Sequence, residues 1–303
     1  MKRIKLIFNR LADKGHARAM ETSMRALANE LGDCSWSITE HPAHAKELAF
    51  QAGQEGYGIV ASLGGDGTLH GVVNGLMQIP KAERPLLASV PIGSGNDFSN
   101  NAGILSDPLQ ALRQVFEGDA KAIDVASIET DTGRQEYWIN SLGVGFDAAV
   151  AIHTYEIQKL QGFAMYLWAV IQTILQNHCG PRMQINIDGE EQIRETIMLT
   201  LCNGAREGGG FNVAPAAAPD DGILDYAMIE YVSRAMMLRL IPEVMNGKHG
   251  RFKQVHIGRC MMIKANYDTA MPIHFDGEIF ADFDTDVRGI TIRIHPAELL
   301  LCR

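Results

Sequence analysis

The sequence predicts two domains, a parallel α/β domain at the N-terminus followed by an antiparallel β-sandwich. In the first 127 residues, short apolar runs alternate with helical patterns, which is typical of a parallel sheet covered by helices. Beyond about residue 121, paired strand-like runs separated by turns replace that alternation and indicate antiparallel hairpins. The length of 303 residues also favours two domains, at about 150 residues each. We therefore expect a first domain over 1–125, a second over 126–294 and a tail over 295–303.

Four short apolar runs predict the strands of the first domain, and a helical pattern follows each of them. The strands are expected at Ile4–Phe8, Trp36–Thr39, Gly58–Leu63 and Leu86–Pro91. The helices are expected at Met20–Leu31, Ala43–Gln54, Leu69–Met77 and Leu109–Phe116. In the first helix the apolar residues are spaced three and four apart, and the last begins after a capping residue and a first-turn proline, Asp107-Pro108.

The second domain is expected to be rich in strands and poor in helices. Two hairpins are predicted, one pairing Ile123–Thr130 with Tyr137–Leu142 and one pairing Met183–Asp188 with Thr196–Cys202. Further strands are expected at Tyr226–Tyr231, His256–Ile263, Ile273–Phe275 and Ile290–His295. Two helices are expected at Phe163–Gln176 and Ser233–Met245, and Pro242 is expected to break the second one.

Composition and charge exclude several classes of protein. The chain has 27 Lys and Arg against 36 Asp and Glu, a net charge of −9, which argues against nucleic acid as a partner because nucleic-acid binding needs a basic face. Its five cysteines are odd in number and form no CxxC pair, which favours reduced thiols in a cytoplasmic protein. No apolar run is long enough for a signal peptide or a membrane span. We expect a cytoplasmic protein, soluble or peripheral at a membrane.

A glycine-rich loop between the third strand and its helix is the strongest motif in the sequence. The loop, Gly64–Thr68, reads Gly-Gly-Asp-Gly-Thr and contains no Walker A pattern. Adjacent glycines let backbone N–H groups approach an anion, and the N-terminus of the following helix adds partial positive charge, so phosphate is the natural ligand. The alternative is a tight strand-to-helix turn that needs glycine only for its geometry.

A second glycine-rich loop, Gly93–Phe98, follows the next strand. Two such loops at neighbouring strand ends favour one wide phosphate site, to which Ser94 and Asn96 can donate hydrogen bonds. Asp97 cannot donate to phosphate; it suits either a metal ion or the cap of the next helix.

Two acidic segments in the second domain are further candidates. Asp220, Asp221 and Asp225 crowd six positions, so they form either a cation site or a solvated acidic loop. The segment Asp276–Glu278 places a glycine between two carboxylates after a strand, which suits either a general base or an acidic surface turn.

Two weaker patterns are set aside. Gly143–Ala148 fits a dinucleotide-binding fingerprint, but no acidic residue lies at 160–168, where the ribose would need one. Cys34, His41 and His44 lack a fourth ligand at metal-site spacing, so surface histidines are expected there.

Taken in order, these segments resemble the catalytic domain of diacylglycerol kinases, sphingosine kinases and their bacterial lipid-kinase relatives. The Gly-Gly-Asp-Gly motif alone is a weak signal because NAD kinases and phosphofructokinases share it. The resemblance covers nearly the whole chain, and its segments are Asn9 with Lys14-Gly15, Gly64–Thr68, Gly93–Phe98, Asn140–Asp147, Gly208–Asp225 and Asp276–Glu278. One departure is His70-Gly71, which stands where relatives carry Asn-Glu. His70 could help to bind the nucleotide, but a histidine on the helix surface is the favoured expectation.

The resemblance implies an NAD kinase/diacylglycerol kinase-like fold with the nucleotide in the cleft between the domains and the tail returning to the first domain. It implies an ATP- and Mg²⁺-dependent phosphotransferase that phosphorylates a hydroxyl of a lipid such as diacylglycerol, in phospholipid biosynthesis. Glu278 would be the catalytic base with Asp276 beside it, and Asp221 would hold a structural Mg²⁺ together with carbonyls near Ala218 and Ile223. The nucleotide-binding residues would be Asn9, Thr39, Gly64, Gly65, Asp66, Gly67, Thr68, Ser94, Gly95 and Asn96.

Two other functions stay open at this point, and so does the choice of the segment that would contact a membrane. The chain could instead be a NAD-kinase-like enzyme acting on a soluble nucleoside, or a nucleotide-binding regulator without turnover. A homodimer is compatible with the sequence. For peripheral membrane contact, Ser233–Lys253 combines five basic residues with one acidic residue and several apolar ones, whereas Phe163–Leu175 carries no positive charge. Ser233–Lys253 is the favoured segment and Phe163–Leu175 the weaker one; the alternative is that both are core-packed helices.

Overall fold

The computed structural model describes residues 3–157, 159–160, 162–208 and 210–303. Its internal contacts divide the chain into two units. Unit 1 contains the chain up to Val125 together with Pro296–Arg303, and unit 2 contains Ala126–His295.

Unit 1 is built on a parallel sheet. Its strands are β1 (Ile4–Phe8), β2 (Cys34–Ile38), β3 (Ile59–Gly64) and β4 (Leu86–Pro91), in the order β2-β1-β3-β4. The last residues of β15 (Gly289–Cys302) extend this sheet, because Leu301 and Cys302 pair in parallel with β4. Every residue of β3 and β4 is buried, as expected for strands covered by helices on both faces.

The helices of unit 1 follow the predicted alternation. They are α1 (Ala17–Leu31), α2 (His44–Gln54), α3 (Asp66–Leu76), α4 (Asp97–Asn101) and α5 (Pro108–Glu117), with 3-10 turns at Ala12–Gly15 and Lys81–Glu83. The N-cap of α5 is formed as predicted, since the Asp107 carboxylate accepts a hydrogen bond of 2.8 Å from the Gln110 amide.

Unit 2 is an antiparallel β structure. Its strands are β5 (Ala120–Thr130), β6 (Gln135–Trp138), β7 (Ser141–Gly145), β8 (Arg182–Ile187), β9 (Glu190–Cys202), β10 (Leu224–Glu230), β11 (Val255–Cys260), β12 (Met262–Tyr267), β13 (Ile273–Phe275), β14 (Glu278–Ala281) and the start of β15. Strand β5 begins in unit 1. Its helices are α6 (Phe146–Glu156), α7 (Gly162–Gln176) and α8 (Arg234–Met245), and a 3-10 turn spans His249–Arg251.

Long strands carry the chain from one layer of the sandwich to the other. The first half of β9 pairs with β8, and its second half pairs with β7 and β10. One layer thus contains β14, β13, β7, β10 and β11, and the other contains β8, β12, β15, β5 and β6. Apolar side chains of both layers form one core, which includes Trp138, Leu201, Ile263, Phe275 and Ile292.

Several sequence-based predictions of elements in unit 2 were wrong. The single strand expected over His256–Ile263 is two strands, β11 and β12, which pair with different partners. The Asp188 carboxylate accepts hydrogen bonds from the amides of Met261 and Met262 at this break. The run Tyr137–Leu142 is likewise divided between β6 and β7.

Two helices also differ from the predictions. Helix α6 was not expected, because it buries residues around most of its circumference and so lacks an amphipathic pattern. Helix α8 continues through Pro242 instead of breaking there. The carbonyl that loses its partner to the proline belongs to Leu238, which lies on the exposed side of the helix, so water can replace the missing bond.

Candidate active site

The carboxyl ends of the parallel strands bring the predicted nucleotide-binding residues of unit 1 to one edge of the sheet. The amide of Asn9 donates to the carbonyl of Leu63, and the amide of Thr39 donates to that of Phe8, both at 2.9 Å. The amide of Ile92 donates to the carbonyl of Gly64 at 2.8 Å. Ligands bind at this edge of open α/β sheets.

The two glycine-rich loops touch each other at this edge. A Cβ atom built on Gly93 would lie 2.5 Å from the Cα atom of Gly65, and one built on Gly65 would lie 3.2 Å from the Cα atom of Gly93. Neither position can carry a side chain without displacing the other loop. The loops therefore form one continuous surface of backbone.

Helix α3 begins within the first loop, with Gly65 as its N-cap. Thr68 in the first turn is buried, and its hydroxyl accepts a hydrogen bond of 3.0 Å from the Asn9 side-chain amide. The side-chain oxygen of Asn9, Oδ1, in turn accepts from the amide of Leu11. Asn9 therefore ties the loop after β1 to the glycine-rich loop after β3.

The second loop is closed by its own asparagine. Asn96 has a left-handed backbone, with φ of 55°, and its side chain bonds to both the amide and the carbonyl of Gly93. This geometry gives Asn96 a part in shaping the loop, which sequence reasoning had not foreseen. Ser94 is exposed, so its hydroxyl is accessible from solvent.

Two carboxylates approach the same point of the second loop. A Cβ atom on Gly95 would lie 3.1 Å from Oδ2 of Asp66 and 3.6 Å from Oδ2 of Asp97. Asp97 is the first residue of α4, and Asn96, not Asp97, occupies the N-cap position. Carboxylate oxygens beside a phosphate-binding loop are the donors that Mg²⁺ prefers, so these two side chains fit a metal ion carried by a nucleotide.

The departure at His70-Gly71 has a packing explanation. His70 is only 7% exposed, so the expectation of a surface histidine was wrong; its Nε2 lies 3.2 Å from the Asn74 side-chain nitrogen. A Cβ atom on Gly71 would lie 3.0 Å from the Cβ atom of Ala45, and one on Gly75 would overlap the carbonyl of Lys46. The glycines let α3 pack closely against α2, which a larger residue at position 71 would prevent.

The acidic hairpin of unit 2 separates the two carboxylates that were expected to act together. Asp276 and Gly277 both have positive φ, 48° and 82°, as in a two-residue type I′ turn between β13 and β14. The Asp276 carboxylate is buried and accepts hydrogen bonds from the amides of Ile139 (2.9 Å), Asn140 (2.8 Å) and Ser141 (3.2 Å). These bonds make Asp276 an anchor for the chain before β7, and its expected place beside the catalytic base stays a prediction.

Glu278 is the exposed carboxylate of this hairpin, at the first residue of β14. Tyr155 of α6, which sequence reasoning missed along with its helix, donates a hydrogen bond of 3.1 Å to the carbonyl of Gly277. Loss of hydration around the Tyr155 hydroxyl, together with the negative charge of Glu278, raises the pKa of Tyr155 to about 12. Tyr155 therefore stays protonated and keeps donating to the turn at neutral pH.

The acidic loop before β10 meets an arginine. The Asp221 carboxylate accepts a hydrogen bond of 3.3 Å from the amide of Ile223 and forms an ion pair with Arg259. Asp225 is buried, which raises its pKa, while Arg259 at 3.4 Å opposes that rise. Asp221 and nearby backbone carbonyls, as at Ala218, are hard oxygen donors that fit Mg²⁺, although the metal would share Asp221 with Arg259.

Family models match both parts of the chain. The diacylglycerol kinase catalytic domain matches residues 3–128, and the YegS C-terminal NAD kinase beta sandwich-like domain matches residues 140–303.

Individual relatives agree with these family models. A Chromohalobacter salexigens protein named probable lipid kinase YegS-like is 32% identical over 80% of this chain and 76% of its own length. The diacylglycerol kinase of Bacillus subtilis is 27% identical over 92% of this chain and 90% of its own. A crystal structure of a diacylglycerol kinase from Bacillus anthracis matches the fold with a TM-score of 0.75 and 19% identity, covering 99% of this chain and 96% of that one. The chain therefore belongs to the family of bacterial YegS-like and diacylglycerol kinases, which are lipid kinases that transfer a phosphoryl group to an alcohol.

Proposed function

We propose that this lipid kinase transfers the γ-phosphoryl group of ATP to the hydroxyl of diacylglycerol. The contact between Gly65 and Gly93 carries the nucleotide part of the proposal, because it joins the two loops into one backbone surface at the N-terminus of α3. The diacylglycerol part is supported by relatives of that name, such as the Bacillus subtilis enzyme.

In this proposal unit 1 binds the nucleotide. Backbone amides of Gly64–Gly67 hold the phosphates, since the Thr68 amide donates to the carbonyl of Gly65, and the exposed hydroxyl of Ser94 also donates to them. Asp66 and Asp97 would hold the Mg²⁺ that accompanies ATP, which would supply positive charge beside the phosphates. Asn9, Thr39 and Asn96 keep the loops in place through the hydrogen bonds described above.

Glu278 is proposed as the base that accepts the proton of the lipid hydroxyl. It is exposed at the end of a rigid two-residue turn, and that turn is held by Asp276 from one side and by Tyr155 from the other. A positioned base of this kind contributes roughly 10²–10⁴-fold to a rate. Asp221 is proposed to hold a second, structural Mg²⁺ within unit 2.

We further propose that α7 and α8 together form the surface that contacts the membrane. The two helices are packed together: Arg234 at the start of α8 donates to the carbonyls of Ile174 and Leu175 at the end of α7. Trp168 and Leu175 on α7 are 52% and 64% exposed, and Leu238 on α8 is 50% exposed. No helix among the described residues is long and apolar enough to cross a bilayer. Exposed apolar residues beside basic ones suit contact with an anionic leaflet.

One assay tests the proposed reaction against its alternatives. The protein is incubated with γ-labelled ATP and Mg²⁺ in mixed micelles with diacylglycerol, other lipid alcohols, NAD or no acceptor. We expect label in phosphatidic acid, and its loss in Asp66→Ala with the fold retained by circular dichroism. Label in NADP would instead establish a nucleoside kinase. Nucleotide binding without any labelled product would establish a regulator, and near-normal turnover of Asp66→Ala would remove the proposed site.

A further inference from the structure

A polar cluster lies in unit 2 beside Gly143–Ala148, the segment that fits a dinucleotide-binding fingerprint. Neither the fold nor the proposed kinase reaction explains this cluster. Three neighbouring strands place His274 of β13, Gly143 of β7 and Thr200 of β9 directly opposite one another in one row. Residues opposite each other in antiparallel strands project to the same face. The row therefore presents an imidazole and a hydroxyl on either side of a position that has no side chain.

The gap at Gly143 is filled from the helix that follows β7. A Cβ atom on Gly143 would overlap Oδ2 of Asp147 and Nε2 of His274. Asp147, in the first turn of α6, accepts a hydrogen bond of 2.6 Å from the Thr200 hydroxyl. Only glycine at position 143 leaves room for the Asp147 carboxylate and the His274 imidazole to lie side by side.

A second carboxylate completes the cluster from the loop after β9. Glu207 is buried there, held by paired backbone hydrogen bonds with Phe211. One ligand atom each of Asp147, Glu207 and His274 lies within 4.8 Å of the other two.

The imidazole in this cluster lacks hydrogen-bond partners. His274 is only 6% exposed, yet neither of its ring nitrogens makes a hydrogen bond in the structure. Its Nε2 instead lies 3.4 Å from Oδ2 of Asp147. A buried polar group without a hydrogen bond destabilises the folded state, so a ligand for this nitrogen would remove a penalty.

Negative charge is concentrated around the same point. The half-buried carboxylate of Asp147 and the buried one of Glu207 repel each other at this separation unless a cation or a shared proton lies between them.

We propose that Asp147, Glu207 and His274 bind a divalent transition-metal cation such as Zn²⁺ or Mn²⁺. One imidazole and two carboxylates are a donor set that these ions accept, whereas Mg²⁺ and Ca²⁺ prefer oxygen donors alone. Two ligands bound to one tetrahedral ion at about 2.1 Å lie about 3.4 Å apart. The separation of His274 Nε2 from Asp147 Oδ2 is therefore that of two ligands of one metal ion.

This ion is separate from the magnesium ions of the proposed reaction. Its ligands come from β13, α6 and the loop after β9, and they include neither Asp221 nor any residue of the glycine-rich loops. Its effect would be to tie β13, which leads into the hairpin of Glu278, to the start of α6.

The test is metal binding by the full-length protein after treatment with a chelator. Zn²⁺ and Mn²⁺ are titrated by calorimetry, with native mass spectrometry for stoichiometry and visible absorption of the Co²⁺-loaded protein for tetrahedral geometry. We expect one equivalent bound and a rise in Tm with metal. His274→Gln and Glu207→Gln should each weaken binding at least tenfold, with circular dichroism of the metal-free proteins unchanged.

The matched control is His44→Gln, from the exposed group His41, His44 and Glu47, which offers a comparable set of ligands on the surface. Binding that is lost in His44→Gln but kept in His274→Gln would overturn the proposal. So would a wild-type protein that takes up no Zn²⁺ or Mn²⁺ at micromolar concentration. Should His274→Gln not fold, Glu207→Gln and the Co²⁺ spectrum of the wild type decide the question.

Discussion

Gly93 and Gly65 belong to different loops, yet a Cβ atom on Gly93 would lie 2.5 Å from the Cα atom of Gly65. The contact is between backbones, so no flexible side chain can move aside to relieve it.

Gly93→Ala should therefore separate the two loops and lower kcat/KM for ATP at least tenfold. The loss should appear mainly in nucleotide binding, measured by calorimetry with a nonhydrolysable ATP analogue. The control is Gly189→Ala, where nothing lies within 4 Å of the added atom and the only cost is the positive φ of 100°, which Gly93 does not share. Gly189→Ala should lower the free energy of unfolding by about 1 kcal/mol and leave ATP affinity unchanged. Equal ATP affinity in wild type and Gly93→Ala would show that the loop contact does not shape the site.

The two carboxylates of the hairpin should respond differently to amide substitution. Glu278→Gln should abolish phosphoryl transfer while preserving ATP affinity and Tm, because an exposed side chain loses only its ability to accept a proton. Asp276→Asn should lower the free energy of unfolding by about 1–3 kcal/mol, because an amide cannot accept all three backbone hydrogen bonds that the buried carboxylate accepts. If Asp276→Asn alone stopped transfer at unchanged stability, the base would be Asp276.

An ion pair at the end of β15 should make stability depend on pH. Burial acts to raise the pKa of Glu298, but hydrogen bonds from Lys81 and Arg84 (2.9 and 2.7 Å) outweigh it, so that pKa is lowered. Because the pKa is lowered, the ion pair stabilises the folded protein above the usual pKa of glutamate, about 4.3. This stabilisation is lost as pH falls through the lower pKa of the folded state. The contribution is about 1 kcal/mol at most.

Urea unfolding of wild type and Glu298→Gln between neutral pH and about pH 3 measures this effect. The variant should be less stable near neutral pH, and the difference should shrink on acidification. A difference that stays constant with pH would exclude the ion pair as its cause.

Arg259 should compete with Mg²⁺ for the acidic loop before β10. It pairs with Asp221 and lies 3.4 Å from Asp225, so Arg259→Gln removes a positive charge beside the carboxylate that is proposed to bind the metal. We expect tighter Mg²⁺ binding in Arg259→Gln, by about threefold to tenfold at low salt, and its loss in Asp221→Asn. Weaker Mg²⁺ binding in Arg259→Gln would show that the arginine supports the site.

Much of unit 1 could be predicted because its signals are local. Buried parallel strands such as β3 are continuous apolar runs, and a glycine-rich segment after each marks the strand-to-helix turn. The order of these segments was enough to predict the fold and the kinase family, which the family models confirm.

Unit 2 was predicted less well because its signals depend on distant partners. Nothing local distinguishes the single apolar run His256–Ile263 from the two strands that it forms, since the change of partner at Met261 is set by Asp188, more than seventy residues earlier. Helix α6 was not predicted because buried residues lie around most of its circumference, so its sequence has no amphipathic pattern. Tyr155 lies on this helix and was missed for the same reason.

The sequence by itself determined the family, the two glycine-rich loops and the identity of Glu278 and Asp276 as a pair of candidate carboxylates. Only the tertiary structure decided which of the two is exposed, because burial of Asp276 depends on backbone donors at 139–141, far away in the chain. It also decided that His70 is buried and that His274, Asp147 and Glu207 meet. The physical reason is the same in each case: residue type fixes what a side chain can bind, but strand register and helix packing fix what lies within its reach.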